Sequence, residues 1–259
     1  MDVPTFRQRM AEDGHVLVEN VVPPDLLARL REDILTHVAL CREVHRRNGL
    51  GEGMEGAAHH VLGRGDGMDA FVAQLFLDEY IRDYFGGNYI LNSFGALNNL
   101  PMSPDSYKHG HRFHRDVRSW SGGYRLMLNM LVMLDDFTVE NGATMIVPGS
   151  HLVEARPDDA ELERRAIRAI GCAGSILLFD SNLWHSAAPN LTQGPRRALT
   201  LTFTRPFFKQ QMDYPRMLGE DFTHAPRVRQ VLGYNARVPA SHDEWYQPPE
   251  KRMYKPDQG

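Results

Sequence analysis

Between Tyr89 and Phe203 the chain repeats one kind of segment: YILNSFGALNNL, YRLMLNMLVMLDDF, ATMIVPGSH, GSILLFD and RALTLTFTR, separated by Gly, Pro, Asn and Asp. Apolar runs between such breakers read as strands. Many short strands in succession imply a sandwich or jelly roll rather than a parallel α/β sheet. The segment 154–170 (EARPDDAELERRAIRAI) reads as a charged helical insertion before the GSILLFD strand.

The flanks have a different texture. Residues 4–12 read as a short helix and Gly14–Asn20 alternates like a half-buried strand. Pro23, Pro24 and Asp25 open an amphipathic helix to about Glu43, with Leu26, Leu27, Leu30, Ile34 and Val38 on one face. Residues 48–69 hold seven glycines and the pair His59-His60 without periodicity, so a long lid loop is expected there. Helical spacing returns over 69–85 and ends at Gly86-Gly87. Residues 206–259 are rich in proline and aromatic side chains and predict an irregular tail on the core. The expectation is one domain over 1–259, with a helical part at 1–88, a β core at about 89–205 and the tail at 206–259.

Composition narrows the partners. A formal charge of -4 and a pI near 6.3 give no overall basic field, so nucleic acid is not expected as a partner. Only Cys41 and Cys172 occur, without CxxC spacing, which fits a reducing cytoplasm. No apolar h-region and no long apolar stretch points to export or membrane insertion. A small molecule is the expected partner, for a monomer or a homodimer.

The chemistry lies in H-R-D at 114–116 and in His185, which follows SILLFD and Trp184. On a strand, side chains at i and i+2 point the same way, so His114 and Asp116 can chelate one ion while Arg115 points elsewhere. An HxD pair alone is also a common surface pattern. With a distal His at the mouth of a β core, two imidazoles and one carboxylate can hold Fe(II) and leave its other face open. Arg196 opens the strand after His185, where a guanidinium can clamp a carboxylate bidentately. A surface ion pair is the alternative role for a single arginine.

FHRD at 113–116, NGATMIVPGSH at 141–151, and WHSAAPN with PRR over 184–197 resemble the phytanoyl-CoA dioxygenase family of 2-oxoglutarate-dependent oxygenases. That family includes ectoine hydroxylases and bacterial natural-product enzymes, and the resemblance extends over residues 10–205. It implies a mainly β fold, a double-stranded β-helix (jelly roll, cupin-like) with flanking helices. It implies His114, Asp116 and His185 as the catalytic iron ligands and Arg196 as the partner of the far carboxylate of 2-oxoglutarate. Arg197 competes for that role, but the spacing favours Arg196. Many relatives carry a hydroxyl residue where this chain has Ala187, so carboxylate support is sought from Thr200 or Thr202, or from Asn98 or Asn99. Related halogenases replace the acidic ligand by a small residue, so Asp116 argues against halogenation.

The implied cofactors are Fe(II), 2-oxoglutarate and O2, with ascorbate as a candidate reductant. The implied reaction hydroxylates an unactivated C–H bond of a small molecule and releases succinate and CO2. Desaturation, epimerisation or cyclisation in natural-product biosynthesis would use the same centre. A non-catalytic jelly-roll binding protein is the third reading, disfavoured by a complete ligand set beside Arg196.

Lys108, Arg112, Arg115 and Arg118 make the HxD region locally basic, which suits an anionic substrate. Arg118 and Trp120 are taken as substrate-binding, because residues shortly after HxD line the pocket in the ectoine hydroxylases that the chain resembles. His109 and His111 are read as loop residues, His59-His60 as solvent-facing or in contact with substrate, His151 as a turn residue, and Met127, Met130, Met133 and Met145 as core.

Overall fold

The computed structural model describes residues 1–50, 56–102 and 113–258. In chain order the elements are α1 (Val3–Glu12), β1 (His15–Val18), α2 (Pro24–Arg47), β2 (Ala57–His59), α3 (Gly67–Ala73), α4 (Asp78–Phe85), β3 (Ile90–Asn99), β4 (Met127–Met133), β5 (Met145–Ile146), α5 (Asp159–Arg165), β6 (Ile167–Arg168), β7 (Ile176–Asp180), β8 (His185–Ser186), β9 (Arg196–Thr204), α6 (Tyr214–Leu218), α7 (Pro226–Val231) and α8 (His242–Trp245). Six strands form a sheet in the order β1-β7-β4-β9-β3-β2, and β6-β5-β8 form a smaller one. All pairings among them are antiparallel. This is the jelly-roll arrangement with flanking helices.

Strand alternation sorts side chains between two cores. On β4, β7 and β9, Leu128, Met130, Val132, Ile176, Leu178, Leu199, Leu201 and Phe203 join Leu30 and Ile34 of α2 and Phe6 of α1 in one cluster. The intervening Leu131, Met133, Leu177 and Phe179 instead join Ile146 of the small sheet and Phe137. The large sheet is therefore buried on both faces, which is why β4 is apolar at nearly every position rather than alternating. Each fully buried Leu, Ile or Phe in these layers contributes about 1.5–3 kcal/mol.

Three expectations need correction. The loop expected over 48–69 contains β2, which pairs with β3 from Ala57↔Leu97 to His59↔Gly95, and Asp69 accepts hydrogen bonds from the Gly63 and Gly65 amides at 2.8 and 2.6 Å. Residues 51–55 of that loop lie outside the described residues. The single helix expected over 69–85 is two helices, because Leu75 and Leu77 take left-handed backbone angles of φ 50° and 62°. Both leucines and Phe76 between them pack on the core, and that burial outweighs the local backbone cost. The tail is not wholly irregular: α6 and α7 bury Tyr214, Val228 and Val231 in the main cluster. No helix among the described residues is long and apolar enough to cross a membrane.

Candidate active site

The HxD segment is held against β8 by backbone pairing. His114 and His185 exchange amide hydrogen bonds of 2.9 and 3.1 Å, and the Asp116 amide donates to Ser181 O at 3.1 Å. This pairing brings three donor atoms, one each from His114, Asp116 and His185, within 4.8 Å of one another. Asp116 Oδ1 lies 3.4 Å from His114 Nε2 and 3.7 Å from His185 Nε2. Arg115 points the other way, donating to the Ser150, Val153 and Glu154 carbonyls and stacking on Trp184 at 4.8 Å. It thereby ties HxD to the turn formed by PGSH.

The surroundings set the protonation of His185 and Asp116. His185 is 7% exposed and packs edge-on to Phe179. Its Nδ1 lies 2.9 Å from Leu183 O and can donate only as N–H, which leaves the lone pair on Nε2. Burial pushes the pKa of this imidazole below its ordinary value despite Asp116 nearby, so it is a neutral ligand. Burial alone would raise Asp116, but the His114 hydrogen bond, the two imidazoles and the Asn129 amide outweigh it and keep the carboxylate ionised. Two imidazoles and one carboxylate with converging donor atoms fit a divalent iron ion.

A cavity of about 390 Å³ runs from this cluster between the sheets. Arg196 and Thr200 of β9 line it. Arg196 is 4% exposed, its guanidinium lies 4.3 Å over the Phe137 ring, and its Nε and Nη1 have no hydrogen-bond partner. Burial lowers its pKa to about 10. An unpaired buried cation is costly, and a carboxylate entering the cavity would relieve that cost, so the residues fit a dicarboxylic co-substrate. Arg197, next along β9, faces the opposite side and pairs with Asp135 through Nε at 2.9 Å and Nη2 at 2.8 Å. Alternation thus separates the two candidate arginines.

Other site expectations fare differently. Thr202 lines the cavity with its hydroxyl 2.7 Å from Ser93. Leu97 lines it as well, and Asn98, the next residue on β3, points to the other face and is not part of the lining. Arg118 and Trp120 are exposed and are not among the residues lining this cavity. Lys108, His109, His111 and Arg112 lie outside the described residues. His151 is buried beside Gly14.

Sequence reasoning named His59 and His60 as solvent-facing or in contact with substrate and passed over other lining residues. His59 and His60 both face the cavity rather than alternating, because His60 takes φ 57° and breaks the strand pattern; its Nδ1 lies 3.1 Å from the Tyr214 hydroxyl. Thr144, Gln211 and Asn129 line it too. Only Asn129 carried a readable signal, as the lone polar residue in MLNMLVM.

The profile of the phytanoyl-CoA dioxygenase (PhyH) family matches residues 10–198. Protein Rv1501 of Mycobacterium tuberculosis is 41% identical over 173 residues, covering 66% of this chain and 61% of that protein, so the match spans less than two thirds of the relative. Dioxygenase trt7 of Aspergillus terreus is 26% identical over 92% of this chain and 85% of its own. Among solved structures, EctD from S. alaskensis in its apoform superposes with a TM-score of 0.66 at 22% identity, covering 82% of this chain and 79% of EctD. EctD has also been solved with bound Fe, and with 2-oxoglutarate and 5-hydroxyectoine. The match over residues 10–198 takes in the HxD segment, the PGSH turn and the distal His185: the chain belongs to the phytanoyl-CoA dioxygenase family.

Proposed function

We propose that the protein is an Fe(II)- and 2-oxoglutarate-dependent dioxygenase that hydroxylates an unactivated C–H bond of a small molecule. In balance, substrate, O2 and 2-oxoglutarate give hydroxylated substrate, succinate and CO2. The observation that carries this is the convergence of His114, Asp116 and His185 in one cavity with the buried, partly unpaired guanidinium of Arg196. The family relation and the EctD structures holding Fe and 2-oxoglutarate support the same reading.

Bound iron supplies the oxidising chemistry. The protein's own part is positional. His185 is fixed by Leu183 O, so its Nε2 is presented without reorganisation. Asp116 adds the single negative charge of the ligand set. Arg196 would take the far carboxylate and set the orientation of the 2-oxo-acid end. The apolar walls, Phe94, Leu97, Met130 and Phe179, exclude water from the reacting carbon. A mass-spectrometric screen of small molecules for gain of one oxygen, coupled one-to-one to succinate, tests the proposal. A substrate that consumes 2-oxoglutarate yet never gains oxygen would overturn hydroxylation.

A further inference from the structure

The central strand β4 holds one polar side chain, Asn129, placed between Phe179 of β7 and Thr202 of β9. It is 3% exposed, and a buried amide there is unfavourable unless it is hydrogen-bonded. Its Nδ2 donates to Asp116 Oδ2 at 2.7 Å, while its Oδ1 has no partner. The reverse orientation would set two acceptor oxygens against each other, so the donor must face the carboxylate. The two oxygens of Asp116 are therefore inequivalent: Oδ1 stands near both Nε2 atoms, and Oδ2 is engaged by the amide.

Coordination number gives this a consequence. An octahedral ion held by two imidazoles and one carboxylate oxygen keeps three positions open, enough for the two donors of a 2-oxo acid and for dioxygen. A carboxylate binding through both oxygens would take a fourth position and leave only two. We propose that Asn129 is a positioning residue that holds Asp116 to coordination through Oδ1 alone, keeping the third position open. This rests on the function proposed above.

The test uses the whole chain, loaded with Mn(II) or with Fe(II) and 2-oxoglutarate under anaerobic conditions before oxygen is admitted. Asn129→Leu keeps the volume and removes the donor. We expect Mn(II) affinity by calorimetry and the melting temperature to stay near wild type. Two open positions still accept 2-oxoglutarate, so its dissociation constant from the Fe(II)-loaded protein, read from its charge-transfer absorption, should stay within a few-fold of wild type while the band shifts. Succinate formation after oxygen is admitted to that complex should slow about tenfold or more. An unchanged band together with an unchanged rate of oxygen-dependent succinate formation would overturn the proposal. So would loss of Mn(II) binding, because Asn129 would then support the whole ligand set and not its denticity. Should Asn129→Leu fail to fold, Asn129→Ala removes the same donor without bulk and is judged by the same readouts. Absence of a charge-transfer complex in the wild type would instead overturn the underlying function.

Discussion

Arg196 and Arg197 are neighbours in sequence with opposite surroundings, and each predicts its own mutational signature. Removing Arg196 takes away a buried guanidinium with unpaired nitrogens, so Arg196→Leu should not lower the melting temperature of the ligand-free protein. It should weaken 2-oxoglutarate binding roughly 10- to 100-fold, the loss of a charge-assisted pair, with Mn(II) binding unchanged by calorimetry. Arg197→Ala should do the reverse: stability falls by about 1–2 kcal/mol in urea titrations through loss of the part-buried Asp135 pair, while 2-oxoglutarate affinity holds. The iron-ligand candidates and Arg196 were legible because their chemistry is written in residue type and spacing. The facing of Asn98 was not legible because it depends on register, and β3 carries an irregularity between Leu91 and Ser93 that a sequence does not display. That His59 and His60 both reach the cavity was left open from sequence because a left-handed backbone at a histidine leaves no mark on the pattern.

At the scale of elements, the site depends on how closely the turn after β4 abuts the segment after β8. Gly142, in the NGAT stretch, has φ 79°, and a Cβ there would collide with the backbone of Ala188 and Pro189, just beyond His185. Gly142→Ala should therefore cost about 2 kcal/mol or more, measured as a lower urea midpoint, since both the backbone angle and the space forbid a side chain. The long strands β3, β4, β7 and β9 were readable because they are apolar runs bounded by turn residues. The short strands β2, β6 and β8 were not, because two or three residues carry no period and their pairing is dictated by distant partners. The break between α3 and α4 escaped for a related reason: leucines at 75 and 77 satisfy a helical pattern while their burial imposes a turn.

For the whole molecule, burial lowers the pKa of His15, His59, His60, His151 and His185 below the ordinary 6.5. The unfolded chain then takes up protons at a higher pH than the folded one, so stability is retained above the ordinary value and falls as pH drops through it. The metal-free protein should show a flat melting temperature above about pH 7.5 and a decline from about pH 6.5 towards 5. A melting temperature that rises across that interval would contradict it. Ligands act through the folded state alone, so Mn(II) with 2-oxoglutarate at about 100 times their dissociation constants should each add roughly 2.7 kcal/mol, reversed by a chelator. The central claim is most directly tested by Fe(II)-dependent conversion of 2-oxoglutarate to succinate, followed by mass spectrometry in the wild type and in Asp116→Ala. Succinate formation in the wild type, lost on chelation and absent from Asp116→Ala, is the predicted result. Full succinate formation by Asp116→Ala would contradict it.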